Sequence, residues 1–417
     1  MWGALDYTSS MAVNLPLELP ELLPVAGVRI ATAAAGIKYS DRTDLVAFEL
    51  AAGTQCAAVF TRNAFCAAPV TVAREHLTVT APRLLLINSG NANAGTGEQG
   101  HQDALASCAL LADAVGCHAN EVLPFSTGVI GESLPMGKFS AAIPSLPAQF
   151  DENGWDKAAH GIMTTDTLPK GLSRQVMVGD ECVTITGIAK GSGMICPNMA
   201  TMLAYVATDA NISPVLLQQC LQYAADRSFN CISVDGDTST NDACVLMASG
   251  QAMAAPLGDE QSEAYQQLRE AVTEVCVVLA QAIIRDGEGA TKFITIDVEG
   301  GEGEADCRQV AYTVAHSPLV KTAFFASDPN WGRILAAVGR AGIETLDVGR
   351  VAIYLDDVCI VRDGGRAAEY TEAAGDAVMK QDEITVRIVL GDAPYQAQLW
   401  SCDFSYDYVR INAEYRS

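Results

Sequence analysis

Two apolar, β-leaning runs, Cys182–Ile188 and Met202–Val206, are separated by a stretch that no regular element crosses. From Lys190 to Leu203 it reads KGSGMICPNMATML. Gly191 and Gly193 permit backbone angles closed to other residues, and Pro197 prevents regular helix through the segment. The chain must turn here and then begin a strand at Thr201, with the small Ala200 directly before it. A strained, exposed turn ahead of a strand is where an internal hydroxyl reaches its own preceding carbonyl. If the Ala200–Thr201 bond breaks, Thr201 becomes a new amino terminus carrying both a nucleophile and a base. A free α-amine titrates at about pH 7.7–8.0, so near neutrality part of it is uncharged and accepts the proton of its own hydroxyl. That activation needs no histidine. A glycine-rich hairpin around a buried threonine is the plainer alternative.

Length and composition limit what surrounds this segment. At 417 residues the chain exceeds one typical core and points to two packed domains or one large layered one. Hydrophobic residues make up 49% and charged residues only 18%, which fits a well-buried globular protein without long disorder. No apolar run approaches the roughly 20 residues that span a bilayer; Val275–Ile284 is too short. Met1–Glu21 lacks an early Lys/Arg cluster and a signal-type apolar core, so it reads as a loosely attached leader and not as a secretory peptide. The net charge of −24 repels nucleic-acid phosphates, while leaving room for a local basic site. The 13 cysteines are odd in number and lack a Cys-x-x-Cys pair. They read as reduced thiols in a cytoplasmic protein. The 5 isolated histidines offer no metal spacing, and no metal is expected.

Strand signal recurs at Cys56–Thr61, Arg83–Asn88, Val351–Leu355 and Ile384–Leu390. Helical spacing appears between Gly100 and Gly116, across Asp259–Arg285 and at Asn330–Ala341. Another helix starts in cap-then-proline order at Ser213-Pro214. Asn88–Gly100 reads as a loop. Helices and strands mix without regular βαβ periodicity, so the expected fold is α+β. We expect a layered sandwich of β-sheets flanked by helices, N-terminal-nucleophile-like, with a smaller C-terminal α/β region. A spatial boundary is placed near residue 300, in the Gly/Glu-rich Glu299–Ala305.

Four further segments carry chemistry-bearing residues. In Ser126–Gly131, the Thr127 hydroxyl and the Gly128 N–H are adjacent donors suited to an oxyanion hole, although an ordinary strand-to-turn segment explains the same residues. Met163–Lys170 clusters hydroxyls with a proline, as polar ligand-binding loops and simple turns both do. In Asp286–Lys292, Gly287 is suited to capping the preceding helix, with Glu288 left to meet a ligand's ammonium; the P-loop spacing is absent. Cys231–Asp242 gathers Asp235, Asp237, Asn241 and Asp242, but without an EF-hand pattern, so hydrogen-bonded turns are the better reading.

With these residues in view, the chain resembles the ornithine acetyltransferases, the glutamate N-acetyltransferases of arginine biosynthesis. The likeness runs from about Val25 to Ser417 through Ser126–Gly131, Met163–Lys170, Lys190–Leu203, Asp286–Lys292, Ser327–Arg333 and the closing Asn412–Ser417. Lys190–Leu203 is the most specific of them; Cys196 within it departs from the His or Ala of many members. The resemblance implies self-cleavage between Ala200 and Thr201, giving an α chain of residues 1–200 and a β chain of residues 201–417 that assemble as an α2β2 heterotetramer. It further implies that Thr201 takes the acetyl group of N2-acetylornithine and passes it to glutamate. Thr127 and Gly128 match the family's oxyanion pair; Thr167, Lys190, Thr201, Glu288, Asn412 and Ser417 match its substrate contacts. A cationic Lys190 suits a substrate carboxylate and an anionic Glu288 an α-ammonium. No cofactor is implied, because exchange of one amide for another is close to thermoneutral; acetyl-CoA as a second donor is left open. Two rival readings remain. One is a hydrolase with the same threonine, similar to the β-peptide aminopeptidases; the other is a non-catalytic metabolite-binding protein with an intact backbone.

Overall fold

Strand-period alternation builds the first of two units. The computed structural model describes residues 12–196 and 202–414, and this unit comprises Glu18–Asn230 and Asp237–Ile283. One sheet runs in the order Val28–Ala33, Leu45–Leu50, Leu84–Asn91, Val122–Val129, with only its last pair parallel. A second runs Gln55–Phe60, Ala243–Ala248, Leu203–Thr208, Glu181–Lys190, Lys170–Val178, and its one parallel pair is Ala243–Ala248 with Leu203–Thr208. Successive side chains on a strand point to opposite faces. Val46, Phe48, Leu85, Ile87, Leu123 and Phe125 therefore share one buried core with Ile188, Leu203, Tyr205, Val245 and Met247 of the other sheet. Their neighbours Leu45, Ala47, Leu84, Leu86 and Val122 face outward onto Ala104, Cys108 and Leu111 of the helix Gly97–Val115.

Aromatic rings fix the sheet-to-sheet contact. Tyr205 stacks on Phe48 at 5.4 Å between ring centroids and meets Phe125 edge-on at the same separation. The outer face of the second sheet is covered by helices as well. Gly187 lets the long helix Glu263–Arg285 approach, since a Cβ there would lie 3.0 Å from Val275 Cγ1. The helix Pro214–Asp226 lies against Gln55–Phe60; its first turn is capped by Ser213, whose hydroxyl accepts the Leu216 N–H at 3.4 Å. Helix, sheet, sheet and helix thus form the expected α+β layers.

The second unit gathers residues 12–17, 231–236 and 284–414. Its sheet runs in the order Gly365–Arg366, Val358–Arg362, Ala352–Leu355, Glu383–Val389, Phe293–Gly301, Tyr395–Cys402, Ile232–Ser233. Ile294, Ile296, Val298, Ile384, Val386 and Ile388 form its core with Cys307, Val310, Phe324 and Ile334 of the covering helices. Among the described residues, no helix is long and apolar enough to cross a membrane.

Two sequence expectations are corrected. The chain passes between the units at four places, the last of them at Ile283/Ile284, and none lies near residue 300. There the strand Phe293–Gly301 leads into the helix Glu304–Ala315, and both share one core. Asn88–Gly100 is mostly not loop: its first residues complete the strand Leu84–Asn91 and its last open the helix at Gly97. At the end of the long helix, the Gly287 N–H donates to Ile284 O at 3.1 Å, the capping contact expected of it, while the positive φ, +69°, belongs to Gly289.

Candidate active site

Thr127 and Gly128 lie near the end of Val122–Val129, where that strand runs parallel to Leu84–Asn91 and the register shifts at Gly90 and Asn91. Gly128 has φ +133°, and a Cβ there would fall 2.3 Å from the Gly90 carbonyl carbon and 2.5 Å from Asn91 N. Only glycine fits. The bulge that this close approach creates re-aims the backbone beside Thr127, a common device next to active sites. Asparagines hold it in place. The Asn241 amide donates to the carbonyls of Ala92 (2.6 Å) and Ser126 (2.9 Å); Ser126 Oγ donates to Asn88 Oδ1 at 2.6 Å.

The Thr127 hydroxyl is buried and accepts a hydrogen bond from Lys190 Nζ at 3.3 Å. Lys190, itself buried, ends the strand Glu181–Lys190 of the facing sheet. Close by, Asp166 Oδ1 accepts from Lys170 Nζ and from the Gly191 N–H, each at 2.7 Å, and Oδ2 accepts from the Thr164 N–H at 3.0 Å. Both side chains of the Asp166–Lys170 pair are fully buried. Burial alone would raise the Asp166 pKa, but the Lys170 and Lys190 charges together with these hydrogen bonds hold it well below the usual carboxylate range. Thr167, the next residue, is exposed.

A second carboxyl stands at the start of Ala243–Ala248. Asp242 is buried, and burial pushes its pKa well above the usual range against the Ser239 hydroxyl, the Lys190 charge and the Met202 N–H. Burial thus favours the neutral form of Asp242, while Lys170 and Lys190 bring two buried positive charges to this region. The surroundings of Thr127 therefore favour an anionic group or a developing oxyanion.

In the second unit, Glu288 and Asn412 come together across 124 residues of sequence: Asn412 Nδ2 donates to Glu288 Oε2 at 2.8 Å. Glu288 is buried, whereas Asn412 is exposed on the helix Tyr406–Glu414. The turn bearing Glu288 is gripped from that helix's start, where Ser405 Oγ donates to Gly289 O at 2.6 Å. Asp403 accepts from the N–H groups of Thr291 (2.8 Å) and Lys292 (2.9 Å). Ala200, Thr201 and Ser417 lie outside the described residues. Among the described residues, no cluster of His, Cys, Asp or Glu is arranged to hold a metal ion.

The sequence missed Asp166, Lys170, Asn241 and Asp242 as parts of this site. Asp166 and Lys170 sit inside the hydroxyl-rich segment that was singled out, but their spacing suggests a helical pair, and Lys170 instead opens the strand Lys170–Val178.

The sequence profile of the ArgJ family matches residues 29–417. An arginine biosynthesis bifunctional protein ArgJ from Methylococcus capsulatus is 61% identical over 396 residues, covering 95% of this chain and 97% of that protein. Its counterpart from Pseudomonas fluorescens is 54% identical, covering 98% of this chain and 100% of that protein. Among solved structures, an ArgJ chain from Bacillus halodurans is 37% identical, covers 49% of this chain and 96% of its own, and superposes with a TM-score of 0.47. An ornithine acetyltransferase chain from Mycobacterium tuberculosis, complexed with ornithine, is 35% identical, covers 42% of this chain and 93% of its own, and superposes with a TM-score of 0.37.

Proposed function

The chain belongs to the ArgJ family, and on that premise we propose that it moves an acetyl group from N2-acetylornithine to glutamate through an ester on Thr201. The enzyme is an acyltransferase of arginine biosynthesis. In our reading it first cuts its own backbone between Ala200 and Thr201. The neutral Thr201 amine then takes the hydroxyl proton as the oxygen attacks the acetamide carbonyl. Thr127 and the Gly128 N–H hold the oxyanion, the leaving amine departs protonated as ornithine, and the glutamate amine reverses the sequence.

The observation that carries this reading is the hydrogen bond from Lys190 to Thr127 Oγ1 at 3.3 Å beside the Gly128 bulge. A hydroxyl oxygen that accepts from an ammonium has its own O–H turned elsewhere and polarised, which makes it a stronger donor to an oxyanion. Two buried lysines lower the cost of negative charge there. Glu288, held by Asn412, is assigned to the substrate α-ammonium, with Thr167 and Ser417 completing the substrate contacts. The Thr201 hydroxyl also accepts acetyl from acetyl-CoA as a second donor. No metal takes part. The cleaved halves assemble as α2β2 in the cytoplasm.

Incubation with N2-acetylornithine, with and without glutamate, tests the proposal. With glutamate, ornithine and N-acetylglutamate should accumulate in equal amounts; without it, ornithine release should stop at about one equivalent per Thr201. Acetate release at the same rate without glutamate would show a hydrolase instead. A parallel incubation with acetyl-CoA and glutamate tests the second donor.

Glu288→Gln keeps the acceptor for Asn412 but removes the charge. A hydrogen bond to a charged group is worth roughly 1.5–3 kcal/mol, so KM should rise about ten- to a hundredfold while self-cleavage proceeds normally. Steady-state kinetics beside a denaturing gel check both halves; an unchanged KM would remove Glu288 from the substrate contacts.

A further inference from the structure

Asn241 belongs to no helix or strand, yet its buried side chain joins the two segments on which the oxyanion residues depend. Its amide donates to Ser126 O at 2.9 Å, directly before Thr127, and to Ala92 O at 2.6 Å, directly after the strand Leu84–Asn91. An amide nitrogen has two donors, and these carbonyls use both. The other end of the amide is fixed as well, because Thr240 Oγ1 donates to Asn241 Oδ1 at 2.5 Å. The backbone is seated from several sides. The Asn241 N–H donates to Ser239 Oγ at 3.1 Å. The flanking carbonyls of Thr240 and Asp242 accept from the N–H groups of Ala67 and Thr61, each at 2.9 Å. Ala92 completes the arrangement, since its own N–H donates to Val129 O at 2.9 Å. Ser126, Asn241, Ala92 and Val129 therefore form a bracket around Thr127 and Gly128.

The bracket encloses the point where the ladder becomes irregular. Gly90 lies opposite Gly128, but Asn91 lies opposite both Thr127 and Val129. Gly128 has no side chain to anchor it, and its φ of +133° is a conformation that persists only where the surroundings impose it. We propose that Asn241 is a positioning residue of the oxyanion hole, whose amide closes this bracket and so aims the Thr127 hydroxyl and the Gly128 N–H. The Ser126 carbonyl and the Thr127 N–H share one planar peptide. Fixing that carbonyl fixes the plane from which the Thr127 side chain and the next peptide, with the Gly128 N–H, extend. Misplacement by about an ångström costs on the order of a hundredfold in rate. This role rests on the reading of Thr127 and Gly128 as the oxyanion pair, but the bracket itself does not.

The experiment is a double-mutant cycle of Asn241→Asp with Thr127→Val in the full chain. An ionised aspartate keeps the shape of asparagine but has no donor for the Ser126 and Ala92 carbonyls. Asn241→Ala removes the same donors without adding charge, and it takes the place of Asn241→Asp if that variant does not fold. In either variant kcat, counted per cleaved chain, should fall about ten- to a hundredfold, with KM within about twofold of wild type. In the Thr127→Val background, where one oxyanion donor is already gone, the same substitution should cost less than about threefold. Hydrogen exchange at the Ala92 amide, which lies within the bracket, should be faster than in wild type. The same loss of kcat in both backgrounds would show that Asn241 does not act through the oxyanion pair, and the positioning role would be wrong. A normal kcat with either Asn241 variant also overturns it. Full activity of Thr127→Val defeats the oxyanion reading instead, and exchange at Ala92 still reports whether the bracket exists.

Discussion

Thr201→Ala is expected to remain one 43.9 kDa chain on a denaturing gel and to lose acetyl transfer by about ten-thousandfold or more. The size of the effect follows from the economy of the device. One residue supplies the attacking oxygen, and once the backbone has been cut it also supplies the base. Removing its hydroxyl abolishes the cut, so the amine never appears. Losses at the oxyanion pair are smaller by comparison, since removing one donor costs roughly a hundred- to a thousandfold. Thr201→Ser keeps the hydroxyl and should still cleave. Intact-mass measurement of the wild-type protein should give two species, one starting at Thr201. Transfer at a normal rate by Thr201→Ala would remove the nucleophile from the proposal.

Whether a residue of this site is legible in the sequence depends on how local its role is. The Ser213-Pro214 pair announces a helix because capping is a matter of adjacent residues, and the helix Pro214–Asp226 begins there. The buried strand Leu203–Thr208 is readable from its apolar run. Gly128 stands out within a short motif, but the reason it must be glycine lies in the strand beside it, where Gly90 and Asn91 leave no room for a Cβ. Asp242 sits in an acidic, hydroxyl-rich stretch that composition cannot divide between turns and a cation site. Its partners become visible only through the parallel register of Leu203 with Ala243. Asn412 is matched to a substrate by resemblance alone, whereas Glu288 also reads locally as a carboxylate left to meet an ammonium. That Asn412 holds the Glu288 carboxylate is a contact across 124 residues that no periodicity encodes. Asp166 and Lys170 are hidden for a different reason: nothing in their i, i+4 spacing tells an exposed pair from the buried one that the layered core makes.

That buried pair yields the second large effect. Lys170→Met leaves Asp166 in the interior without its nearest counter-charge and removes the 2.7 Å bond to Oδ1 together with the 3.2 Å bond to Leu168 O. Breaking a buried pair from one side costs about 3–5 kcal/mol, because the remaining charge is uncompensated. The pH dependence identifies the cause. In the wild type, burial opposes ionisation of Asp166, but the two lysine charges and the hydrogen bonds win, and its folded pKa is depressed. A depressed carboxylate contributes stability that is fully present above the unfolded value, about 3.9 for Asp, and that is lost as pH falls through the folded value. In Lys170→Met the balance shifts toward burial, so the folded state takes up the Asp166 proton more readily. The stability gap between the two proteins should therefore be widest near neutral pH and should narrow on acidification. Denaturant unfolding followed at several pH values measures it. A gap of the same size at all pH values would mean that lost packing, and not an unpaired carboxylate, accounts for the defect. Because the same Asp166 oxygen also holds the Gly191 N–H at 2.7 Å, and Gly191 directly follows Lys190, the variant should cleave slowly even where it stays folded.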